Sequence, residues 1–114
     1  MATPPEDFAI AADERDGRVH VTLRGELDLA TAPELEELLE ARIDDGEVVV
    51  DLRDLEFMDS SGVRVLVAAH ARAGRAGTRL ILVRPARGSA VSKIIDVSGL
   101  DGELTLVDDP ARVP

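Results

Sequence analysis

The chain contains no cysteine, tryptophan or tyrosine, and it has only two phenylalanines and two histidines among its 114 residues. Without cysteine it can form neither a disulfide nor a thiolate metal cluster, and two separated histidines offer little for a zinc site or a Ser-His catalytic pair. The shortage of aromatic rings removes the stacking surfaces that binders of single-stranded nucleic acid use. The composition therefore predicts no metal site and no cofactor, and it argues against most covalent catalysis.

Positive charge is scarce as well, with 13 Lys and Arg against 23 Asp and Glu and a formal net charge of −10. Such a chain is repelled by phosphate backbones and by anionic lipid. No apolar run approaches the roughly 18 residues of a membrane span, and the N-terminus lacks a basic start followed by an apolar stretch. We therefore expect a cytoplasmic protein that binds neither nucleic acid nor a membrane directly.

The chain contains enough aliphatic residues to form the core of one small domain. Along it, strand patterns alternate with helix patterns. Asp16-Gly17 is a dipeptide typical of tight hairpins, and it joins the first two strand patterns. The third and fifth are nearly continuous apolar runs, which indicate strands covered on both faces. Strand patterns occupy residues 8–12, 19–23, 48–52, 55–58, 79–83 and 104–107.

Three segments between these strands have helical periodicity. Residues 31–34 form a capping-box pattern with a proline in the first turn, and the helix that follows is predicted to run to Gly46. A second helix is predicted over 63–73, ending in Gly74 and Gly77, and a third over 89–97. The alternation predicts an α/β fold: a mainly parallel sheet of four to five strands with an N-terminal hairpin strand and three to four helices.

Charge is distributed unevenly along the chain. The stretch from Ser60 to Ile95 has no acidic residue and carries +7, so the remainder carries −17. One interpretation is a dipolar surface that favours solubility. The other is a basic flank that meets an acidic partner or a phosphate.

The segment Asp59-Ser60-Ser61-Gly62 lies where a strand pattern gives way to a helix pattern. Asp59 and Ser60 each carry an oxygen that can cap the first turn, and of the two serines Ser60 is the better placed to do so, which leaves the Ser61 hydroxyl exposed. A phosphate at this helix start is expected to be stabilised by free amides and by the helix dipole. Because loops at the carboxyl ends of parallel strands share one edge, the segment Gly25–Asp28 is expected beside it.

An enzyme that used this serine as a nucleophile would need residues that the chain lacks. The sequence around Ser61 has no Gly-x-Ser-x-Gly elbow, and His70 falls about two to three turns further along the same predicted helix, out of reach of the hydroxyl. The chain also contains neither Gly-x-x-x-x-Gly-Lys nor Gly-x-Gly-x-x-Gly. We therefore predict no catalytic residue and no enzymatic activity.

Three motifs resemble the STAS domains of bacterial anti-sigma factor antagonists. They are Gly25-Glu26-Leu27-Asp28-Leu29-Ala30-Thr31-Ala32, the run from Val50-Asp51-Leu52 through Phe57-Met58-Asp59-Ser60-Ser61-Gly62-Val63, and Ile94-Ile95-Asp96-Val97-Ser98-Gly99-Leu100. The resemblance covers nearly the whole chain. It divides the sequence into a disordered leader over 1–7, a STAS domain over 8–107 and a C-terminal tail over 108–114.

The resemblance implies a partner-switching regulator. In that family the unphosphorylated antagonist binds an anti-sigma factor, which is also a serine kinase, and so frees a sigma factor. The kinase phosphorylates the second serine of the pair, which is Ser61 here, and a metal-dependent serine phosphatase reverses the reaction. The implied partner-binding residues are Gly25, Glu26, Asp28, Asp59, Ser60, Ser61 and Gly62.

Two alternatives stay open. Asp28 lies three residues before Thr31, so it also has a local role available in starting the helix. The chain also departs from the family at its C-terminus: members commonly close with another helix, whereas the helix start at Asp108-Asp109-Pro110 runs out after about one turn.

The second alternative concerns the class of function. The protein could instead be a STAS-like module that senses a small ligand or acts as a scaffold without being phosphorylated.

Overall fold

The computed structural model describes residues 8–98 and 104–113, so the predicted leader over 1–7 lies outside the described residues. The described part alternates strands and helices in the order expected for the α/β class, with a short 3₁₀ turn after α1 and another after β6. The elements are β1 (Phe8–Arg15), β2 (Arg18–Leu27), α1 (Ala32–Arg42), β3 (Val48–Asp51), β4 (Leu55–Met58), α2 (Ser60–Ala76), β5 (Leu80–Val83), α3 (Ala90–Val97) and β6 (Thr105–Val107).

The N-terminal hairpin is confirmed and is longer than predicted. β1 and β2 pair antiparallel from Phe8 opposite Gly25 to Arg15 opposite Arg18. The two turn residues have positive φ, 54° at Asp16 and 78° at Gly17. Two left-handed residues in a row match the right-handed twist of the flanking strands, which is why the Asp-Gly dipeptide selects this turn.

The sheet is parallel beyond the hairpin, in the order β1-β2-β3-β5-β6. β3 pairs with the first half of β2, and β4 then pairs parallel with its second half, where Glu26 lies opposite Phe57 and Leu27 opposite Met58. Because β3 and β4 pair one after the other with the same edge of β2, the sheet has six strands within the described residues. The predicted α/β fold with a mainly parallel sheet is confirmed.

The main core lies between one face of this sheet and the helices. α1 contributes Leu35 and Leu39, α2 contributes Leu66, and α3 contributes Ile95, each at most 2% exposed. Burying side chains of this size stabilises the fold by about 1.5–3 kcal/mol each. A smaller cluster on the other face contains Val49, Ile81 and Val83, so β3 and β5 are covered on both faces as predicted.

The helix ends differ from the sequence-based expectation at both ends of α1 and of α2: α1 ends at Arg42, before the predicted Gly46, and α2 begins at Ser60, three residues early. Thr31 precedes α1, but its side chain makes no capping hydrogen bond, so the predicted capping box is wrong. The reason is local: Pro33 has no amide hydrogen, and the Glu34 amide donates to the Thr31 carbonyl instead. α2 also continues past Gly74 and ends at Gly77, whose φ of 76° suits a left-handed C-terminal residue.

The basic stretch from Ser60 to Ile95 is in part neutralised by acids from elsewhere in the chain. Arg72 pairs with Asp44 at 2.9 Å, and Arg84 pairs with Asp108 at 3.3 Å. Arg79 pairs with Glu47, which also accepts a hydrogen bond from Arg18 at 2.7 Å. These pairs place basic and acidic segments side by side, so part of the charge asymmetry along the sequence is cancelled in the folded protein.

The Arg18–Glu47–Arg79 cluster makes stability depend on pH. The hydrogen bond from Arg18, together with that from Arg79, holds the pKa of the Glu47 carboxyl below its ordinary value despite partial burial. A lowered native pKa means that this stabilisation is present above about pH 4.3 and is lost as the pH falls through the native pKa. Glu47→Gln is expected to lower the free energy of unfolding by about 1 kcal/mol at pH 7.

The measurement is urea unfolding of wild type and Glu47→Gln at pH 7 and at pH 3. The difference between the two proteins is expected to shrink at the lower pH. Glu56→Gln, at an exposed position of β4, is the matched control, with an expected change within about half a kcal/mol. An equal loss for Glu47→Gln at both pH values would contradict the prediction.

Candidate functional site

Two turns lie side by side at the carboxyl ends of β2 and β4. We call Asp28–Thr31 the acidic turn and Asp59–Gly62 the serine turn. Because β4 pairs with the second half of β2, the two turns leave the sheet from adjacent positions. The Asp59 amide donates a hydrogen bond to the Leu27 carbonyl at 3.1 Å and ties them together. The structure thus places the Gly25–Asp28 segment beside the two serines, as the parallel topology predicts.

Asp59 is the cap of α2. Its carboxylate oxygen Oδ1 accepts from the Ser61 amide at 2.8 Å and from the Gly62 amide at 3.4 Å. Ser60 is the first helical residue, so the prediction that Ser60 serves as the cap is wrong. Asp59 has the extended backbone of a capping residue, whereas Ser60 is already part of the helix, and this explains why the carboxylate is the cap.

Because Asp59 caps α2, fewer backbone amides at the helix start are free to bind an anion. The amides of Ser61 and Gly62, which the sequence left free to hold a phosphate, already donate to the Asp59 carboxylate. A phosphate on Ser61 would therefore stand next to a negative charge, and the helix dipole alone would favour it. The expected stabilisation by free amides is wrong for these two groups.

The two serine hydroxyls make no hydrogen bond within the described residues. Ser60 is exposed, whereas Ser61 is half-buried. Exposure therefore does not select Ser61 over Ser60, contrary to the expectation that Ser60 would be occupied as the cap. The choice of Ser61 rests on the resemblance of the motif.

Gly62 positions the start of α2 against the core. It is buried, and a Cβ built on it would come within 2.7 Å of Leu27 Cδ2 and of Met58 Cγ. Leu27 and Met58 are both fully buried, so neither can move aside without disturbing its neighbours. Only a glycine lets the helix start approach the ends of β2 and β4 this closely.

The acidic turn is organised by Asp28 and Thr31. Asp28 Oδ1 accepts from the amides of Ala30 at 3.0 Å and Thr31 at 3.1 Å. The Thr31 hydroxyl accepts from the Asp28 amide at 2.8 Å and lies 2.9 Å from the Glu26 carbonyl, to which it donates. Sequence reasoning allowed Asp28 a local role in starting the helix but missed this role of Thr31, because Thr31 was interpreted as the first residue of a capping box with Glu34.

Asp28→Ala is expected to lower the free energy of unfolding by about 1 kcal/mol, since it removes the acceptor for two backbone amides at a helix start. Asp28→Asn keeps an acceptor oxygen and is expected to stay within about half a kcal/mol of wild type. Chemical denaturation of the three proteins measures both changes. Equal stability of Asp28→Ala and wild type would show that these hydrogen bonds contribute nothing, and would leave partner binding as the only role for Asp28.

The remaining predicted site residues lie on β2. Gly25 has a φ of 88° and precedes a shift in the register between β2 and β4. Glu26 is exposed beside this irregularity, so its carboxylate is available at the same edge as the two turns. Such bulges re-aim side chains next to functional edges.

Two exposed apolar side chains border the turns, and sequence reasoning missed both. Leu29, at the tip of the acidic turn, is 77% exposed, and Phe57 on β4 is 41% exposed. Phe57 lies on a paired strand and Leu29 within the hydrogen-bonded acidic turn, so little backbone entropy is lost when they are covered. Alternation gives no signal for Phe57, because it would place Phe57 on the same face as Leu55, which is buried.

Within residues 8–98 and 104–113, no cluster of three or more acidic or histidine residues has the arrangement of a metal site. The helices in the same ranges include none that is long and apolar enough to cross a membrane. The edge presents the hydroxyls of the serine turn, three carboxylates and two apolar side chains.

Comparison with known proteins identifies the family. A family model described as the Mlab, STAS domain matches residues 10–108. The anti-sigma-F factor antagonist RsfB of Mycobacterium tuberculosis is 30% identical over 99 residues, which cover 85% of this chain and 79% of that protein. The anti-sigma-B factor antagonist of Listeria monocytogenes is 30% identical over 108 residues, with 86% of this chain and 95% of that protein covered.

Solved structures agree with the sequence comparison. The crystal structure of an anti-sigma factor antagonist from Mycobacterium paratuberculosis superposes with a TM-score of 0.82 at 31% identity, and the match covers 96% of this chain and 93% of that one. The motifs, the six-stranded sheet and these matches all point the same way: this chain belongs to the STAS-domain family.

Proposed function

We propose that this protein is an anti-sigma factor antagonist controlled by phosphorylation of Ser61. The unphosphorylated protein binds an anti-sigma factor that is also a serine kinase, and this binding releases a sigma factor. Phosphorylation of Ser61 ends the interaction, and a metal-dependent serine phosphatase restores it. The protein itself catalyses no reaction, and the exchange takes place in the cytoplasm.

The observation that carries the proposal is the joined pair of turns. The serine turn presents two hydroxyls that form no hydrogen bond with any residue the structure describes, and the hydrogen bond from Asp59 to Leu27 holds the acidic turn beside it. One partner surface can therefore cover both turns together. Exposed Leu29 and Phe57 supply apolar contact area at the same edge.

The electrostatics of the edge explain how one phosphate can act as a switch. A phosphate adds about −1.5 to −2 charges at neutral pH, next to Asp59 and close to Asp28 and Glu26. Within residues 8–98 and 104–113 the Ser61 hydroxyl makes no hydrogen bond, so its modification breaks none there. Release of the partner then follows from local repulsion and steric blocking, with the domain structure unchanged.

The direct test is phosphorylation in vitro. Purified protein incubated with ATP and the anti-sigma factor kinase of the same organism is expected to gain one phosphate, located on Ser61 by fragment mass spectra. Ser60→Ala and Ser61→Ala form a matched pair: the first is expected to be phosphorylated as wild type and the second not at all.

The other outcomes are equally informative. A phosphate on Ser60, which is the more exposed residue, would overturn the assignment to Ser61 and keep the switch at the serine turn. Binding of the kinase without phosphate transfer would favour a scaffold or ligand-sensing module over a phosphorylated antagonist.

A further inference from the structure

The outer edge of β1 is an unpartnered strand edge with a groove beside it. Within residues 8–98 and 104–113, β1 pairs with β2 alone, so the backbone groups on its other side have no strand partner. Edge strands are usually protected by charges or prolines. Residues 8–12 of β1 carry neither, and the charged residues begin only at Asp13.

The groove runs between β1 and α1 and has a volume of about 380 Å³. Ile10 and Ala12 lie opposite Leu23 and Val21, which are core residues, so they share the face of β1 that α1 overlies. The groove is lined by Ile10, Ala12, Glu34, Glu37, Leu38 and Ala41. It thus combines an aliphatic floor with two carboxylates on its α1 side.

The two carboxylates indicate the charge of the occupant. Glu34 and Glu37 are exposed, and neither has an ion-pair partner within the described residues, whereas Glu14 near the far end of β1 is neutralised by Arg42 at 2.7 Å. A second copy of this chain would bring its own Glu34 and Glu37 to the same place and be repelled. A basic segment is complementary.

We propose that β1 is a docking edge for an extended basic segment of a partner protein, which adds a strand to the sheet and places lysine or arginine side chains against Glu34 and Glu37. The spacing agrees, since residues three apart on a helix have Cβ atoms about 5–6 Å apart and alternate residues of a strand are about 6.8 Å apart. Backbone hydrogen bonds provide affinity, and the groove provides specificity. This edge is separate from the serine turn, so the proposal is independent of the proposed switch.

The probe is an acetylated and amidated peptide, Thr-Val-Thr-Lys-Thr-Lys-Thr-Val-Thr, titrated into the ¹⁵N-labelled protein at about 0.15 M salt. Saturable shifts are expected at the amides of β1 and α1. A peptide with proline in place of the central threonine lacks one backbone donor and is expected to bind about tenfold more weakly. The double variant Glu34→Gln/Glu37→Gln is expected to bind the first peptide about fivefold more weakly.

The matched control is Glu36→Gln/Glu40→Gln, which removes the same charge from α1 on the side that faces α2. Its affinity is expected to equal that of wild type. The proposal is overturned if the control pair weakens binding as much as the groove pair, since the attraction would then be general. It is equally overturned if no shifts saturate in β1, or if sedimentation shows a dimer whose β1 amides are protected, because a second copy would then be the occupant.

Discussion

Ser61→Asp is expected to weaken binding to the anti-sigma factor by about a hundredfold while the circular dichroism spectrum stays that of wild type. The new carboxylate stands beside Asp59 on the edge formed by the two turns, where it adds bulk and a buried negative charge to the surface that the partner covers. It does not disturb the fold, because the Ser61 hydroxyl makes no hydrogen bond within the described residues and a helix N-terminus accepts negative charge. Isothermal titration calorimetry measures the affinity.

Two further variants test whether the loss of affinity comes from the added charge and whether it depends on the position of that charge. Ser61→Ala adds no charge and is expected to bind as tightly as the unphosphorylated wild type. Ser60→Asp adds the same charge one residue earlier, about 100° around the helix, and is expected to weaken binding less than Ser61→Asp does. Unfolding of Ser61→Asp, or equal losses for both aspartate variants, would contradict a local block at Ser61.

Gly62→Ala is expected to lower the free energy of unfolding by about 1–3 kcal/mol. Its Cβ would stand 2.7 Å from side-chain atoms of Leu27 and Met58, in a core with no space to receive it. The helix start has to move away from the sheet to relieve this contact, which also displaces the serine turn. Thermal and urea unfolding measure the stability. Titration with the anti-sigma factor measures how the displaced serine turn changes binding.

Gly74→Ala is the matched control in the same helix. A Cβ at Gly74 meets no atom within 4 Å, so the substitution keeps the packing and removes the entropic cost of a glycine in a helix. It is expected to raise the free energy of unfolding by about 0.5–1 kcal/mol. Effects of the same sign at both glycines would show that the close approach of Gly62 to Leu27 and Met58 is unimportant for stability.

The start of α2 shows which features of the site the local sequence predicts and which it does not. The Asp59–Gly62 segment was predictable as the start of a helix, because a capping residue and small side chains between a strand and a helix pattern are sufficient to indicate one. Which side chain caps it was not predictable, since Asp59 and Ser60 both fit the rule. The position of Asp59 is decided by its amide, which donates to Leu27 on a strand 32 residues earlier in the chain.

The sequence by itself determined the α/β class, the hairpin at Asp16-Gly17 and the buried strands β3 and β5, because turn geometry and side-chain periodicity depend on residues that are neighbours in the chain. The tertiary structure alone decided that β4 continues beside β2, that Gly62 must lack a side chain, and that Glu47 joins Arg18 to Arg79. Each of these three features depends on the distance between segments that are far apart in the chain. The packing of the whole core sets that distance, and the conformational preferences of neighbouring residues do not.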